Sequence, residues 1–238
     1  MTYALPPGLQ LANTRTHEQL AAALRQLVLN GSLPPGSPLR EVALADAFGV
    51  SRNTVREAIQ ALGHEGLVRQ SRHRSATVAT LTDVDAEDLY HVRRLLETSA
   101  MDHLDRLTPE QSAAVDAALE RLAKVARLGE WAEVIDGDLA FHRSLVAIHD
   151  SPRLLRAFDA VKSESAYCMN LLRLSEHEDE QPDRVIAEHA VIRDAVVARD
   201  AAAARELLAG HMGYYEERAR DILRGRAATV TAPAPRVR

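Results

Sequence analysis

The stretch "EVALADAFGVSRNTVREAIQAL", residues 41–62, constrains the chain more than any other. It reads as two helices joined by a tight turn. Gly49 ends the first, and Ser51 starts the second as an N-cap. Ala45, Val50, Val55, Ile59 and Leu62 recur at spacings that point them inward. Arg52, Asn53, Arg56 and Gln60 are left facing out, with Arg52 and Arg56 four residues apart on one face. A solvated face would be served equally well by Lys and Glu. Arginine instead offers a planar fork that can donate a bidentate pair to guanine O6 and N7, a geometry Lys does not match. Ser51 and Thr54 offer hydroxyls for phosphates, and the first N–H groups of the helix offer the same. The plainer alternative is a solvated face with an Arg56–Gln60 contact.

The flanks complete a module. "THEQLAAALRQLVLNGSL" has Leu20, Leu24, Leu27 and Val28 at i, i+4, i+7 and i+8, a helix with Thr16 as its expected N-cap, closed by Asn30-Gly31. "PPGSPL" forces a rigid turn. After Gly66, "LVRQ" and "SRHRSATVAT" read as two short strands around a basic loop. Three helices and a two-stranded hairpin within residues 1–80 describe a winged helix-turn-helix.

From Thr82 onward the pattern is helical almost without interruption. Helices are expected near 83–107, 109–128, 130–149, 152–175, 182–199 and 201–224. Thr82, Thr108 and Asp200 can cap starts, and Pro109, Pro152 and Pro182 sit in or near first turns. The fold class is therefore mainly α: an N-terminal winged helix-turn-helix, then an all-α six-helix bundle over 81–225. The tail 226–238 has no periodic apolar face and is expected to be disordered.

Composition narrows the function. Residues 1–80 hold eight Arg and no Lys against five acidic residues, about +3, so the remainder is about −8 in a chain of net charge −5. A basic module on an acidic body hints at nucleic-acid contact; chance scatter is the alternative. No window approaches 18 uncharged apolar residues, so no membrane span is expected. The first residues lack a basic region followed by an apolar one, and the single Cys168 suits a reducing compartment, so a cytoplasmic protein is expected.

The segment from "LPPGSPLRE" through "VSRNTVREAIQAL" to "GLV" resembles the DNA-binding domain of the GntR family of bacterial transcription regulators. The resemblance implies that Arg40, Arg52 and Arg56 read the major groove of a double-stranded operator. It also implies that the wing tip around Arg72, His73 and Arg74 enters the adjacent minor groove. One departure is Ser75, where the family wing usually has Gly.

A second constellation lies in the bundle. "GDLAFHRSL" puts Asp138 and His142 on one helix face at i, i+4, "AEHAVI" adds His189 and "LLAGHMGYY" adds His211. One Asp and three His make a competent shell for Zn, Ni, Co or Mn, although a helical His is usually just core or surface. "DLAFH", "EHAVI" and "GHM" in this order are similar to the FCD domain of the FadR-type GntR subfamily, which implies a divalent metal held by these four residues. The seven other histidines need no metal role, and His149 and His177 are expected to be exposed. The same resemblance places Arg93 beside an effector cavity, where it could fork a ligand carboxylate; the alternative is an intrahelical Arg93–Glu97 pair. Tyr167 and Asn170 are assigned to the cavity from the helix expected to face it.

The leading expectation is a dimeric repressor that binds a palindromic operator and responds to a small organic acid through a metal-containing pocket. A direct metal sensor is the alternative. A metal-dependent hydrolase is a third class, disfavoured because no HExxH helix motif is present and the DNA module would be unexplained.

Overall fold

The computed structural model describes residues 16–70, 75–129, 131–175 and 182–231. The chain divides into two compact units, Met1–Thr80 and Leu81–Arg238.

In the first unit, α1 (Thr16–Leu29) packs on α3 (Arg52–His64), and α2 (Glu41–Phe48) packs on α3 from the other side of the turn. Leu20, Leu24, Val55, Ile59 and Leu62 are buried, so the inward set expected of α1 and α3 forms the core. Gly49 caps α2 in the left-handed region, φ 67°, and its N–H donates to Ala45 O. The chain can then reverse within two residues, and Ser51 Oγ accepts from the Thr54 N–H to start α3.

Among the described residues the wing holds three strands, one more than expected. β1 (Pro38–Leu39) and β2 (Val68–Arg69) both pair antiparallel with β3 (Ala76–Val78), in the order β1-β3-β2. "PPGSPL" is thus a turn that leads into a strand. Pro38 lacks an N–H, which an edge strand tolerates. The wing-tip residues Arg72, His73 and Arg74 lie outside the described residues, as does His177.

Among the described residues the second unit has six α-helices: α4 (Asp83–Ala100), α5 (Pro109–Leu128), α6 (Trp131–Val146), α7 (Pro152–Ser175), α8 (Pro182–Val197) and α9 (Ala201–Thr231). Thr82 and Thr108 close reciprocal capping boxes with Asp85 and Gln111, and the Asp200 carboxylate accepts from Ala203 N–H. Two expected helices end early. Residues 101–106 and 147–149 tighten into 3₁₀ turns. Met101, Leu104 and Leu107 are buried at a spacing of three, which a 3₁₀ turn keeps on one side and an α-helix would spread around its axis. Conversely α9 runs to Thr231, so residues 226–231 are helical where a disordered tail was expected.

Gly137 lets α6 approach α5 closely. A Cβ there would lie 3.3 Å from Leu122 Cα and 3.2 Å from Val125 Cγ2. The next residue along α6 is Asp138.

Candidate functional site

The bundle core contains an acidic and imidazole cluster that hydrophobic packing alone does not account for. Asp138 and His142 project from α6, His189 from α8 and His211 from α9. One donor atom from each lies within 4.8 Å of all the others. Opposite ligands of one ion span roughly 4.2 Å at bond lengths near 2.1 Å, so small side-chain adjustments suffice to close the shell. Nε2 of His142 and of His189 are buried without a hydrogen-bond partner among the described residues, while Nδ1 of His211 lies 3.7 Å from Glu188. His189 Nε2 does sit 2.9 Å from Asp138 Oδ1, but not in hydrogen-bonding geometry. Orphaned imidazole nitrogens beside a carboxylate fit a cation that both address. A bound divalent ion would supply the positive charge they converge on.

The surroundings fix how each ring presents itself. Glu97 on α4 is fully buried and faces His142 Nδ1 at 2.5 Å through Oε2, while Oε1 accepts from Arg93 Nε at 3.1 Å. Burial alone would raise the Glu97 pKa, but His142 and Arg93 together hold it below the usual carboxylate range. An ionised Glu97 only accepts, so His142 donates from Nδ1 and leaves Nε2 for the cluster. His189 Nδ1 lies 2.8 Å from Val185 O, which likewise turns Nε2 inward. Burial, helped by His142 and His189, pushes the His211 pKa down to about 4, so this ring is neutral at physiological pH. Asp138 is held well below its ordinary value: burial opposes ionisation, and His142, His189 and Arg93 override it. For His189 burial again opposes the charged form, but Asp138 wins and the pKa is raised.

A cavity opens beside the cluster. Asp138, His211, Arg93, Tyr90, Trp131 and Arg173 contribute to its lining, and its free volume is ≈ 50 Å³. Arg93 lines this cavity and also forms the intrahelical pair with Glu97. Its buried Nη2 has no hydrogen-bond partner among the described residues. From α7 the wall is built by Met169, Leu172 and Arg173 rather than by Tyr167 and Asn170. Tyr167 and Asn170 are buried in the helix packing instead. Trp131, Tyr90, Tyr215 and Arg173 carried no signal of their own in the sequence. His149 is half-buried rather than exposed, with Nε2 3.1 Å from both Ser99 Oγ and Leu96 O.

In the first unit a groove of ≈ 770 Å³ runs between α2, α3 and the wing strands, lined by Arg40, Glu41, Arg56, Gln60, Gln70 and Ser75 among others. Arg52 and Asn53 lie outside it, exposed at the start of α3. Asn53 Nδ2 donates to Glu57 Oε1, and the Ser51 and Thr54 hydroxyls bond each other at 2.9 Å within the cap. Arg56 is paired with Glu41 and not with Gln60: Nε donates to Oε1 at 3.2 Å and Nη2 to Oε2 at 2.8 Å.

Comparison with known proteins agrees with both halves. Residues 16–78 match the bacterial regulatory proteins of the gntR family, and residues 88–214 match the FCD domain. The chain belongs to the GntR family and carries an FCD domain. An HTH-type transcriptional regulator of Streptomyces ambofaciens is 32% identical, over 77% of this chain and 76% of that protein. The gluconate operon transcriptional repressor of Bacillus licheniformis is 26% identical, over 78% and 77%. A solved GntR transcriptional regulator from Rhodococcus sp. RHA1 is 28% identical with a TM-score of 0.74, covering 87% of this chain and 98% of that one. This GntR protein is therefore a transcription regulator and not an enzyme, which sets the hydrolase reading aside. Glu188, the acid next to His189, takes no part in the four-donor cluster. It accepts from Arg184 and Tyr215 and lies 3.7 Å from His211 Nδ1. No helix among the described residues is long and apolar enough to cross a membrane.

Proposed function

We propose that this GntR regulator is a dimeric, cytoplasmic repressor of a palindromic operator, with Arg40, Arg52 and Arg56 reading bases and the wing tip at Arg72, His73 and Arg74 in the minor groove. Asn53, Ser51 and Thr54 sit where phosphate contacts are made, with Asn53 exchanging Glu57 for DNA. Asp138, His142, His189 and His211 hold one Zn, Ni, Co or Mn ion. A small organic acid enters the adjoining cavity and places a carboxylate on the ion and on the free edge of Arg93. The observation that carries this reading is the meeting of four metal-type donors and the orphaned Arg93 Nη2 at one cavity. A buried guanidinium edge without a partner is costly, and a ligand carboxylate removes that cost.

A ligand changes DNA affinity only through its different affinity for two conformations. Arg93 lies on α4, and only Leu81 and Thr82 separate that helix from the DNA-binding unit. The test is operator binding by fluorescence anisotropy with a panel of mono- and dicarboxylates. One acid is expected to weaken binding in the wild type and to have little effect on metal-stripped protein or on Arg93→Lys, which keeps the charge toward Glu97 and loses the fork. An acid response that persists unchanged in both removes the pocket. The small free volume favours a second reading, direct sensing of the ion. Operator affinity that follows metal titration with no acid present selects it.

A further inference from the structure

The Arg56–Glu41 pair consumes one edge of the guanidinium and leaves another. Arginine carries five N–H groups in a rigid plane. Glu41 takes the Nε–H through Oε1 and one Nη2–H through Oε2. Three N–H groups remain, two on Nη1 and one on Nη2, and they form the blunt end of the fork. That end presents two parallel donors, the pattern that matches guanine N7 and O6. Adenine offers an acceptor and a donor at the same places, so it satisfies only half of such a fork. The free end also stays accessible: the Arg56 side chain is 55% exposed and lines the groove between α2, α3 and the wing.

Glu41 is well placed to act as a support. It is the first residue of α2, where the helix N-terminus favours its carboxylate. That helix packs on α3, and its Leu44 and Ala45 are buried. The carboxylate therefore stands on a rigid element, and the guanidinium plane is set by α2 and not by the long, freely rotating Arg56 stem.

The geometry points to Glu41 as a positioning residue that holds the Arg56 guanidinium end-on for guanine and so sets base preference at that operator position. The inference rests on the proposal that Arg56 reads a base. An unsupported arginine can satisfy its donors on phosphates, which carry no sequence information directly. Held by Glu41, its free donors are confined to one plane. The carboxylate also brings a negative charge close to the DNA backbone, so it lowers sequence-independent affinity while it sharpens selectivity.

The experiment selects bound duplexes from a randomised 30-base-pair library with four full-length proteins: wild type, Arg56→Ala, Glu41→Gln and Glu41→Asp. Gln removes the charge and one acceptor. Asp keeps the charge and the helix start but is one methylene too short for the two-bonded contact. Wild type is expected to select guanine at one position per half-site, and Arg56→Ala to lose it. If Arg56→Ala keeps that guanine, the base-reading role itself fails. Given that loss, both Glu41 variants are expected to lose at least ~10-fold of the guanine preference at the same position. Glu41→Gln should also bind a duplex without the consensus more tightly than wild type does. Full guanine preference in Glu41→Gln overturns the proposal. So does a Glu41→Asp protein that behaves as wild type, since charge alone would then suffice. Tighter operator binding with undiminished preference in either variant would show Glu41 to be a brake on Arg56 and would equally overturn it. Melting curves confirm that each variant is folded.

Discussion

The metal shell can be tested through stability, with a magnitude that follows from its architecture. The four donors come from α6, α8 and α9, so an ion bound by them ties three helices of one unit together. An ion at a hundred times its dissociation constant stabilises the folded state by about 2.7 kcal/mol. For a unit the size of Leu81–Arg238, each kcal/mol moves the midpoint by roughly 2–4 °C. Saturating Zn, Ni, Co or Mn should therefore raise the Tm of metal-stripped protein by about 5–11 °C. His189→Ala removes a donor that is 1% exposed, and with it the Nδ1 contact to Val185 O. The cavity and the lost hydrogen bond should lower the metal-free Tm by themselves, through about 2–3 kcal/mol. The decisive quantity is thus the metal-induced shift within each protein, measured by differential scanning fluorimetry, and not the absolute Tm. It should fall to under ~2 °C in His189→Ala, the shift left when an ion at the same concentration is no longer far above its dissociation constant. Wild-type protein that shows no bound metal by elemental analysis and no shift with any of the four ions refutes the reasoning.

Three further outcomes are expected. Asp138 raises the His189 pKa, so below that raised value His189 carries a proton the ion must displace. Metal affinity should fall as pH drops through that raised value, and calorimetry in buffers of different ionisation enthalpy should detect proton release on binding below it. Gly137→Ala should destabilise the protein, because crowding against Leu122 Cα costs about 1–3 kcal/mol and exceeds the ~1 kcal/mol gain in helix propensity; an unchanged or higher Tm would show that α5 yields there. Cys168 is buried and its thiol is pushed up to about 12 by that burial, so it should not react with a disulfide reagent at pH 8 until the protein is denatured.

The features that could be read from the sequence are those fixed by local chemistry. Ser51, Thr82 and Thr108 each start a helix as their side chains predict, because a cap needs only the next three residues. Of the four donors only Asp138 and His142 form a local pattern, at i, i+4; His189 and His211 are singled out by the resemblance to the FCD domain. What depended on distant partners was not visible. β1 is two residues long and exists only because β3, some forty residues later, pairs with it. Which residues of α7 line the cavity depends on the rotation of that helix about its own axis, and Met169, Leu172 and Arg173 do so. Neighbouring residues there differ by about 100°, and periodicity alone does not fix that rotation. Glu41 and Arg56 are fifteen residues apart on two helices, and their pairing follows from how α2 meets α3, which no periodicity states.

Glu97 shows most clearly why residue types alone do not define this site. In sequence it is only the residue four places after Arg93. In the folded bundle it meets His142 with one oxygen and Arg93 with the other, while fully buried. A carboxylate in that position must stay ionised to serve both partners, and each partner helps keep it so. The consequence is mechanical as well as electrostatic. Any ion that draws on His142 Nε2 acts on a ring whose other nitrogen is held by α4, and any ligand that engages Arg93 Nη2 acts on a side chain whose Nε is held by the same carboxylate. Metal and effector, on the proposed reading, would therefore share one intermediary on one helix. Binding of either should then change the affinity for the other by the same factor, as linkage requires. Calorimetric titration of the active acid into metal-loaded and metal-stripped protein, together with titration of metal in its presence and absence, measures both factors. A factor greater than one shows that metal and acid are coupled, and acid affinity indifferent to metal removes the coupling.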